Sequence, residues 1–232
     1  MKIIINILLF LTWTIQNHYN TKTTAMEDEA LSFLALGDSY TIGESVKEYE
    51  RWPVQLVSRL RKNGIPMEEP KIVATTGWTT DELIAAIEKR DIQRTYDMVT
   101  LLIGVNNQYR DYPIAQYEKE FEDLVTMAVK YAAGISENVF VISIPDYGVT
   151  PFAAEKELDE SKIAADLEAY NAIAKRIATS KNIIFTDITQ DSKEAKNDPS
   201  LTAKDGLHPS SKMYARWVEA LYFSIYDNLS TR

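Results

Sequence analysis

The sequence predicts a three-layer α/β/α fold in which a five-stranded parallel sheet lies between two layers of helices. Five short runs rich in valine, isoleucine, leucine and phenylalanine show little polar–apolar alternation, which is typical of strands buried on both faces. Segments with helical periodicity separate these runs, and strand–helix alternation of this kind favours a parallel sheet. The candidate strands are ALSFLALG (30–37), KIVATT (71–76), YDMVTLLIG (96–104), NVFVISI (138–144) and NIIFTDI (182–188).

Apolar residues recur at helical spacing between the strands and after the last one. Thr79 and Glu82 have the spacing of a capping box, and Asn63-Gly64 is a typical helix end. Longer stripes begin at Tyr117, Ile163 and Tyr214 and are expected to form core-facing helices. Because right-handed crossovers leave few topologies, we expect the flavodoxin-like strand order.

The start of the chain reads as a targeting segment ahead of a single domain. Residues 3–15, IIINILLFLTWTI, follow Lys2 and carry no charge, but they are shorter than the roughly 20 residues of a membrane-spanning helix. TTA at 23–25 has the small residues of a cleavage site. We therefore expect residues 1–25 to be a signal peptide that leads to a secreted or periplasmic protein, with an uncleaved membrane anchor as the alternative. Residues 26–232 are expected to form one domain.

Composition excludes several kinds of site. The chain has no cysteine, which excludes thiol catalysis and thiolate metal sites. Removing residues 1–25, which hold two of the 25 lysines and arginines and none of the 34 acids, leaves a charge of 23 − 34 = −11. Such a chain is repelled by nucleic acids and anionic membranes, so we expect no nucleic-acid partner. Nothing in the sequence implies a stable protein partner.

Glycines and polar residues follow four of the five candidate strands, where ligands of parallel α/β sheets bind. Ser39 follows the first strand, and a serine nucleophile usually needs a histidine base. His208 is the one histidine after residue 25, which also excludes a histidine-rich metal site. Asp205 precedes it by three residues, and a turn at Gly206 lets the carboxylate reach the imidazole Nδ1. An ordinary Asp-Gly turn before a helix is the alternative.

Donors for an oxyanion are also available at the strand ends. The candidates are the backbone N–H groups of Ser39 and Gly77 and the side-chain amide of Asn106. A simple strand-to-helix turn at Gly77 and an Asx turn at Asn106-Asn107 are the structural alternatives. Their combination with Ser39 and His208 favours an acyl-transfer site.

Four blocks of the sequence resemble the GDSL, or SGNH, hydrolases. They are GDSY at 37–40, Gly77 within TTGWTT, GVNN at 104–107 and DGLHP at 205–209. Their order and spacing agree over about residues 30–228. The resemblance implies the SGNH hydrolase fold and hydrolysis of carboxylic esters or thioesters. Asn107 stands where the family usually has an aspartate, which is not one of its catalytic residues.

The resemblance assigns Ser39 as nucleophile, His208 as base and Asp205 as the residue that orients it, with Ser39, Gly77 and Asn106 as the oxyanion hole. The implied acyl-enzyme mechanism needs no metal or cofactor.

We expect a secreted esterase or lipase acting on a small soluble acyl ester or a lysophospholipid. PDYGVTPF at 145–152 is expected to form one wall of the cleft. An acyltransferase or carbohydrate O-acetylesterase with the same site is one alternative, and a non-catalytic flavodoxin-like binding module is another. The candidate substrate-binding residues are Tyr40, Trp78, Asn107, Tyr109 and Tyr147.

Overall fold

The computed structural model describes residues 29–231, so the predicted signal peptide over residues 1–25 lies outside the described residues. The sheet has the order β2-β1-β3-β4-β5, and all of its strand pairs are parallel. This is the flavodoxin-like order, so the predicted fold class is confirmed. The strands are β1 (Phe33–Gly37), β2 (Lys71–Ala74), β3 (Met98–Leu102), β4 (Val139–Ile142) and β5 (Ile184–Thr186).

Helices connect successive strands within residues 29–231. They are α1 (Ser39–Ile42), α2 (Trp52–Lys62), α3 (Thr80–Arg90), α4 (Val105–Tyr109), α5 (Ile114–Tyr131), α6 (Pro151–Glu155), α7 (Glu160–Ser180), α8 (Thr189–Lys193) and α9 (Ser211–Ser230). Helix α2 packs beside α9, whereas α5 packs against both α3 and α7. The chain runs from β1 to the edge strand β2 and then back past β1 to β3. With right-handed crossovers, this change in the order of the strands places α2 and α9 on one face of the sheet and α3, α5 and α7 on the other.

The core lies on both faces of the sheet. Every residue of β1, β3 and β4 is buried, whereas the edge strand β5 is partly exposed. The indoles of Trp52 from α2 and Trp217 from α9 are fully buried, and the Trp52 ring lies 6.3 Å from that of Phe33 in β1. Burying one such side chain stabilises the fold by roughly 1.5–3 kcal/mol. The central strands, whose carboxyl ends lead into the candidate site, are therefore tightly packed on both faces.

The long helices follow the periodic stripes of the sequence. The capping box forms as predicted, because the Thr79 N–H donates to Glu82 Oε2 at 2.9 Å. Helix α2 ends at Lys62, with the expected Asn63 as its C-cap. None of the helices among residues 29–231 combines the length and the apolar character that crossing a membrane requires.

Candidate active site

Ser39 is the first residue of α1 and follows the end of β1 after one intervening residue, Asp38. A tight approach shapes this turn, since a Cβ atom on Gly37 would lie 2.5 Å from the Leu102 carbonyl oxygen. Asp38 caps α1 by accepting the Tyr40 N–H at 3.0 Å. The Ser39 N–H has no acceptor among residues 29–231, which leaves it free to bind a ligand oxygen.

Asp205 and His208 meet in the loop before α9. His208 Nδ1 lies 2.6 Å from Asp205 Oδ2, which also accepts the Ser45 hydroxyl at 2.6 Å. Asp205 Oδ1 accepts the N–H groups of Leu207 at 2.9 Å and His208 at 3.0 Å. The turn therefore places the carboxylate against the imidazole, as the three-residue spacing predicts.

Hydrogen bonds keep the Asp205 carboxylate ionised. Partial burial raises its pKa, but the bonds from Ser45, Leu207 and His208 outweigh burial and lower the pKa to about 2. An ionised carboxylate can only accept, so we assign the shared hydrogen to Nδ1 of His208. Nε2 of the neutral ring then carries an unshared lone pair, which a general base needs in order to accept a proton.

Tyr40 packs against the imidazole of His208. Its ring is almost fully buried and lies edge-on to His208, with 5.9 Å between the centroids. The Trp217 ring lies 6.1 Å from the Tyr40 ring, centroid to centroid. Since Tyr40 follows Ser39 directly, one rigid aromatic ring links the position of the imidazole to that of the serine.

Two further donors lie beside Ser39. Gly77 has φ +88°, a conformation that favours glycine, and its N–H has no acceptor among the described residues. Its carbonyl, on the following peptide unit, accepts Arg110 Nη2 at 2.6 Å. Asn106 Nδ2 donates one hydrogen to the Trp78 carbonyl at 2.9 Å, so its second amide hydrogen remains for a ligand.

These groups meet in one cavity of about 160 Å³ at the carboxyl edge of the sheet. Ser39, His208 and the three predicted oxyanion donors all contribute to its lining, with Asp205 directly behind His208. The rest of the wall is mostly apolar. The full lining comprises Ser39, Tyr40, Thr76, Gly77, Val105, Asn106, Tyr109, Tyr147, Phe152, Leu207 and His208.

Two of the five predicted substrate-binding residues lie outside the cavity. Tyr40, Tyr109 and Tyr147 line it, but Trp78 and Asn107 do not. The Arg90 guanidinium carbon lies over the Trp78 ring, 5.8 Å from the ring centroid. Only the backbone carbonyl of Trp78 contacts Asn106.

Asn107 is fully buried beneath α3. It accepts the Thr80 N–H at 3.0 Å and donates to Thr80 Oγ1 at 2.7 Å. An amide fits this position because it accepts and donates to the same residue, and the Thr80 hydroxyl then donates to Glu120. Asparagine thus holds this loop where the family usually has an aspartate.

The sequence did not single out some residues that the structure brings to the site. Phe152 lies within the PDYGVTPF segment predicted to form one wall, and Leu207 and Thr76 adjoin His208 and Gly77. Adjacency to the motifs was the available signal for these three. Ser45 carried no signal, because its contact with Asp205 spans 160 residues of sequence.

The site has few groups that could hold a metal ion. His208 is the one imidazole or carboxylate residue in the lining, and its Nδ1 is engaged by Asp205. Among residues 29–231, no three histidine, aspartate or glutamate side chains are grouped closely enough to coordinate a cation.

Comparison with solved structures identifies the fold. TesA matches with a TM-score of 0.66 at 16% identity, covering 85% of this chain and 99% of TesA. The esterase EstA from Pseudoalteromonas sp., solved in a form inhibited by monoethylphosphonate, matches with a TM-score of 0.63 at 18% identity, covering 86% and 98%. A catalytic mutant of Axe2, an acetylxylan esterase from Geobacillus stearothermophilus, matches at 0.61 and 20%, covering 84% and 94%.

Comparison of the sequence gives the family. No protein of curated function matches the chain in sequence. The model of the GDSL-like Lipase/Acylhydrolase family matches residues 35–216, which span the blocks from Ser39 to His208. The chain therefore belongs to the GDSL-like lipase/acylhydrolase family of ester-hydrolysing enzymes.

Proposed function

We propose that this enzyme is a serine hydrolase that cleaves carboxylic esters or thioesters through an acyl-enzyme on Ser39. The observation that supports it is the single cavity in which Ser39, His208 and three oxyanion donors meet, with an ionised Asp205 bonded to His208. Nucleophile, base, orienting group and oxyanion donors are the parts that acyl transfer to serine requires.

In the first step, Ser39 Oγ attacks the acyl carbonyl carbon while His208 Nε2 takes the hydroxyl proton. The Asp205 carboxylate, 2.6 Å from Nδ1, stabilises the imidazolium that forms. The carbonyl oxygen becomes an oxyanion and accepts hydrogen bonds from the Ser39 and Gly77 N–H groups and the Asn106 amide. One such donor typically contributes about 10²–10³-fold to the rate.

In the second step, the tetrahedral intermediate collapses and the bond to the leaving oxygen or sulfur breaks. His208 gives its proton to that atom, so a neutral alcohol or thiol departs and the acyl group stays on Ser39. Water then attacks the acyl-enzyme with His208 again as base, which releases the acid and restores the serine.

The proposed substrate is a small soluble acyl ester or a lysophospholipid. The fold shared with Axe2, an acetylxylan esterase, makes an acetylated carbohydrate a second candidate for the same site. Transfer of the acyl group to a sugar hydroxyl uses the same residues, and the ratio of free acid to acylated sugar among the products distinguishes it from hydrolysis.

The decisive test is hydrolysis of a short p-nitrophenyl ester by the wild type, Ser39→Ala and His208→Ala. We expect each variant to lose roughly 10³-fold or more in kcat, because nucleophile and base act as one unit. Ser58→Ala is the matched control, since Ser58 is an exposed serine in α2. Circular dichroism checks that each variant keeps its fold.

A phosphonate probe tests the nucleophile independently. EstA was solved in a monoethylphosphonate-inhibited form, so an activated ethylphosphonate ester is a suitable reagent. Mass spectrometry should find one adduct on wild type and Ser58→Ala, mapped to Ser39, and none on Ser39→Ala. Hydrolysis by Ser39→Ala at a rate within twofold of the wild type would refute the proposed function.

A further inference from the structure

Three aromatic rings form one end of the cavity. The Tyr109 ring lies 6.0 Å from that of Tyr147 and 6.4 Å from that of Phe152, centroid to centroid. All three residues line the cavity. Their contacts make a continuous apolar wall on the β4 side of Ser39, because Tyr147 follows β4 and Tyr109 ends the helix after β3.

Hydrogen bonds hold two of the three residues, one through its side chain and one through its backbone. The Tyr147 side chain is buried, and its hydroxyl donates to Gln108 Oε1 at 2.9 Å, so its polar end is satisfied within the wall. Phe152 is fixed through its backbone, since its N–H donates to the Gly206 carbonyl in the catalytic turn at 2.9 Å. The third ring, Tyr109, is 51% exposed and covers the other two from the solvent side.

The two ends of the cavity differ in polarity. The aromatic wall and Val105 line one end, whereas the exposed Thr76 beside Gly77 lies at the other, next to Glu44, which accepts its hydroxyl. Burial of a methylene group gains about 0.8 kcal/mol, so an apolar acyl chain favours the aromatic end. The alcohol or sugar part of an ester can then leave across the polar rim toward solvent.

The volume limits the chain that fits. A protein cavity of about 150 Å³ is large enough for benzene, a molecule of six carbon atoms. The cavity here, at about 160 Å³, therefore holds about six non-hydrogen atoms. The ester carbonyl takes two of these places, so roughly four further carbons fit before the chain meets the rings.

We propose that the aromatic wall of Tyr109, Tyr147 and Phe152 makes this enzyme selective for short acyl groups, from acetyl to about pentanoyl, with Phe152 and Tyr109 setting the upper limit. The inference rests on the proposed serine hydrolase function and narrows its substrate class. It favours soluble short-chain esters over lysophospholipids, whose long acyl chain exceeds the cavity.

The test measures kcat/KM for p-nitrophenyl esters from acetyl to dodecanoyl with the wild type, Phe152→Ala and Tyr109→Ala. For the wild type we expect a rise of about fourfold per added methylene, equivalent to about 0.8 kcal/mol, followed by a fall beyond about five acyl carbons. Phe152→Ala removes a ring from the wall, so the optimal acyl chain should become longer by two or more carbons. Phe223→Ala, an exposed aromatic residue on α9, is the matched control and should leave the profile unchanged.

A second series varies the alcohol of butyrate esters, to establish which part of the ester the wall contacts. This series should respond equally in wild type and Phe152→Ala. If the alcohol series shifts instead of the acyl series, the wall contacts the leaving group and the inference is wrong. Should Phe152→Ala fail to fold, Phe152→Leu and Tyr109→Ala test the same limit with smaller changes.

The outcomes separate the two proposals. Absence of Ser39-dependent hydrolysis for every ester would overturn the proposed function itself. Hydrolysis that depends on Ser39, but with the same acyl-chain profile in wild type, Phe152→Ala and Tyr109→Ala, would overturn the specificity alone. Faster turnover of a long-chain lysophospholipid than of the butyryl ester by the wild type would also overturn it.

Discussion

Asp38, the residue before the proposed nucleophile, should make the stability of this protein fall as the pH rises toward neutrality. Its side chain is completely buried, and burial raises its pKa to about 7 although the bond from the Tyr40 N–H lowers it. Oδ1 accepts that N–H, whereas Oδ2 has no partner among residues 29–231. A buried, half-satisfied carboxyl is more stable with its proton than without it.

The magnitude follows from the difference in pKa between the folded and unfolded chain. The unfolded value is 3.8 and the folded value about 7. A shift of about three pKa units corresponds to about 4 kcal/mol. The folded state holds the proton more tightly, so the stabilisation is complete below the unfolded pKa and is lost as the pH rises through the folded pKa. About 3 kcal/mol of the loss falls between about pH 5 and pH 8.

The assay is urea unfolding of wild type and Asp38→Asn, each at about pH 5 and about pH 8. Asparagine cannot ionise, so the variant lacks this loss. Its free energy of unfolding relative to wild type should rise by about 3 kcal/mol from about pH 5 to pH 8. Other titrating groups are common to both proteins and cancel in this difference. A difference that changes by less than about 0.5 kcal/mol would refute the argument that Asp38 is buried as the neutral acid.

The other predictions concern the geometry around His208 and the oxyanion. Asp205→Asn should lower kcat by roughly 10²–10⁴-fold with little change in KM, because an amide can hold the imidazole in the wrong tautomer. Ser45→Ala should cost at most about tenfold in kcat, since it removes one neutral donor to Asp205; a loss as large as that of Asp205→Asn would contradict this ranking. Asn106→Ala should lower kcat by about 10²–10³-fold through loss of one oxyanion donor. Steady-state kinetics on a short ester measures all three, and an unchanged kcat in Asn106→Ala would remove that side chain from the proposed oxyanion hole.

The fold was predictable because its signals are local and repeated. Strands such as β3, with five buried residues in a row, show as continuous apolar runs, and long helices such as α7 repeat their stripe over several turns. The short helices α1, α4, α6 and α8 were not predicted. None of them exceeds five residues, so an apolar stripe has no room to repeat.

The arrangement of the candidate site was predictable where sequence neighbours are also neighbours in space. Asp205 and His208 are three residues apart and meet within one turn. Asn106 and Asn107 show the limit of this reasoning. Successive residues on a helix point about 100° apart. One therefore faces the cavity while the other lies beneath α3.

Contacts between distant segments are the part that the sequence could not supply. The Phe152 N–H reaches the Gly206 carbonyl, and the Ser45 hydroxyl reaches Asp205. Each depends on how two loops lie after the whole sheet has formed. No pattern within either loop identifies its partner.

The contact between Ser45 and Asp205 joins segments that are synthesised early and late, so the proposed site can form only late in protein synthesis. The ribosome delivers Ser39 and Ser45 near the start of the described chain and the Asp205–His208 turn after all five strands. A nascent chain that stops short of Asp205 contains the residues of all five strands but has neither the proposed base nor its orienting carboxylate. Esterase activity therefore reports that translation has passed the last loop. Fragments divided within residues 189–204 should recover activity only when both are produced together.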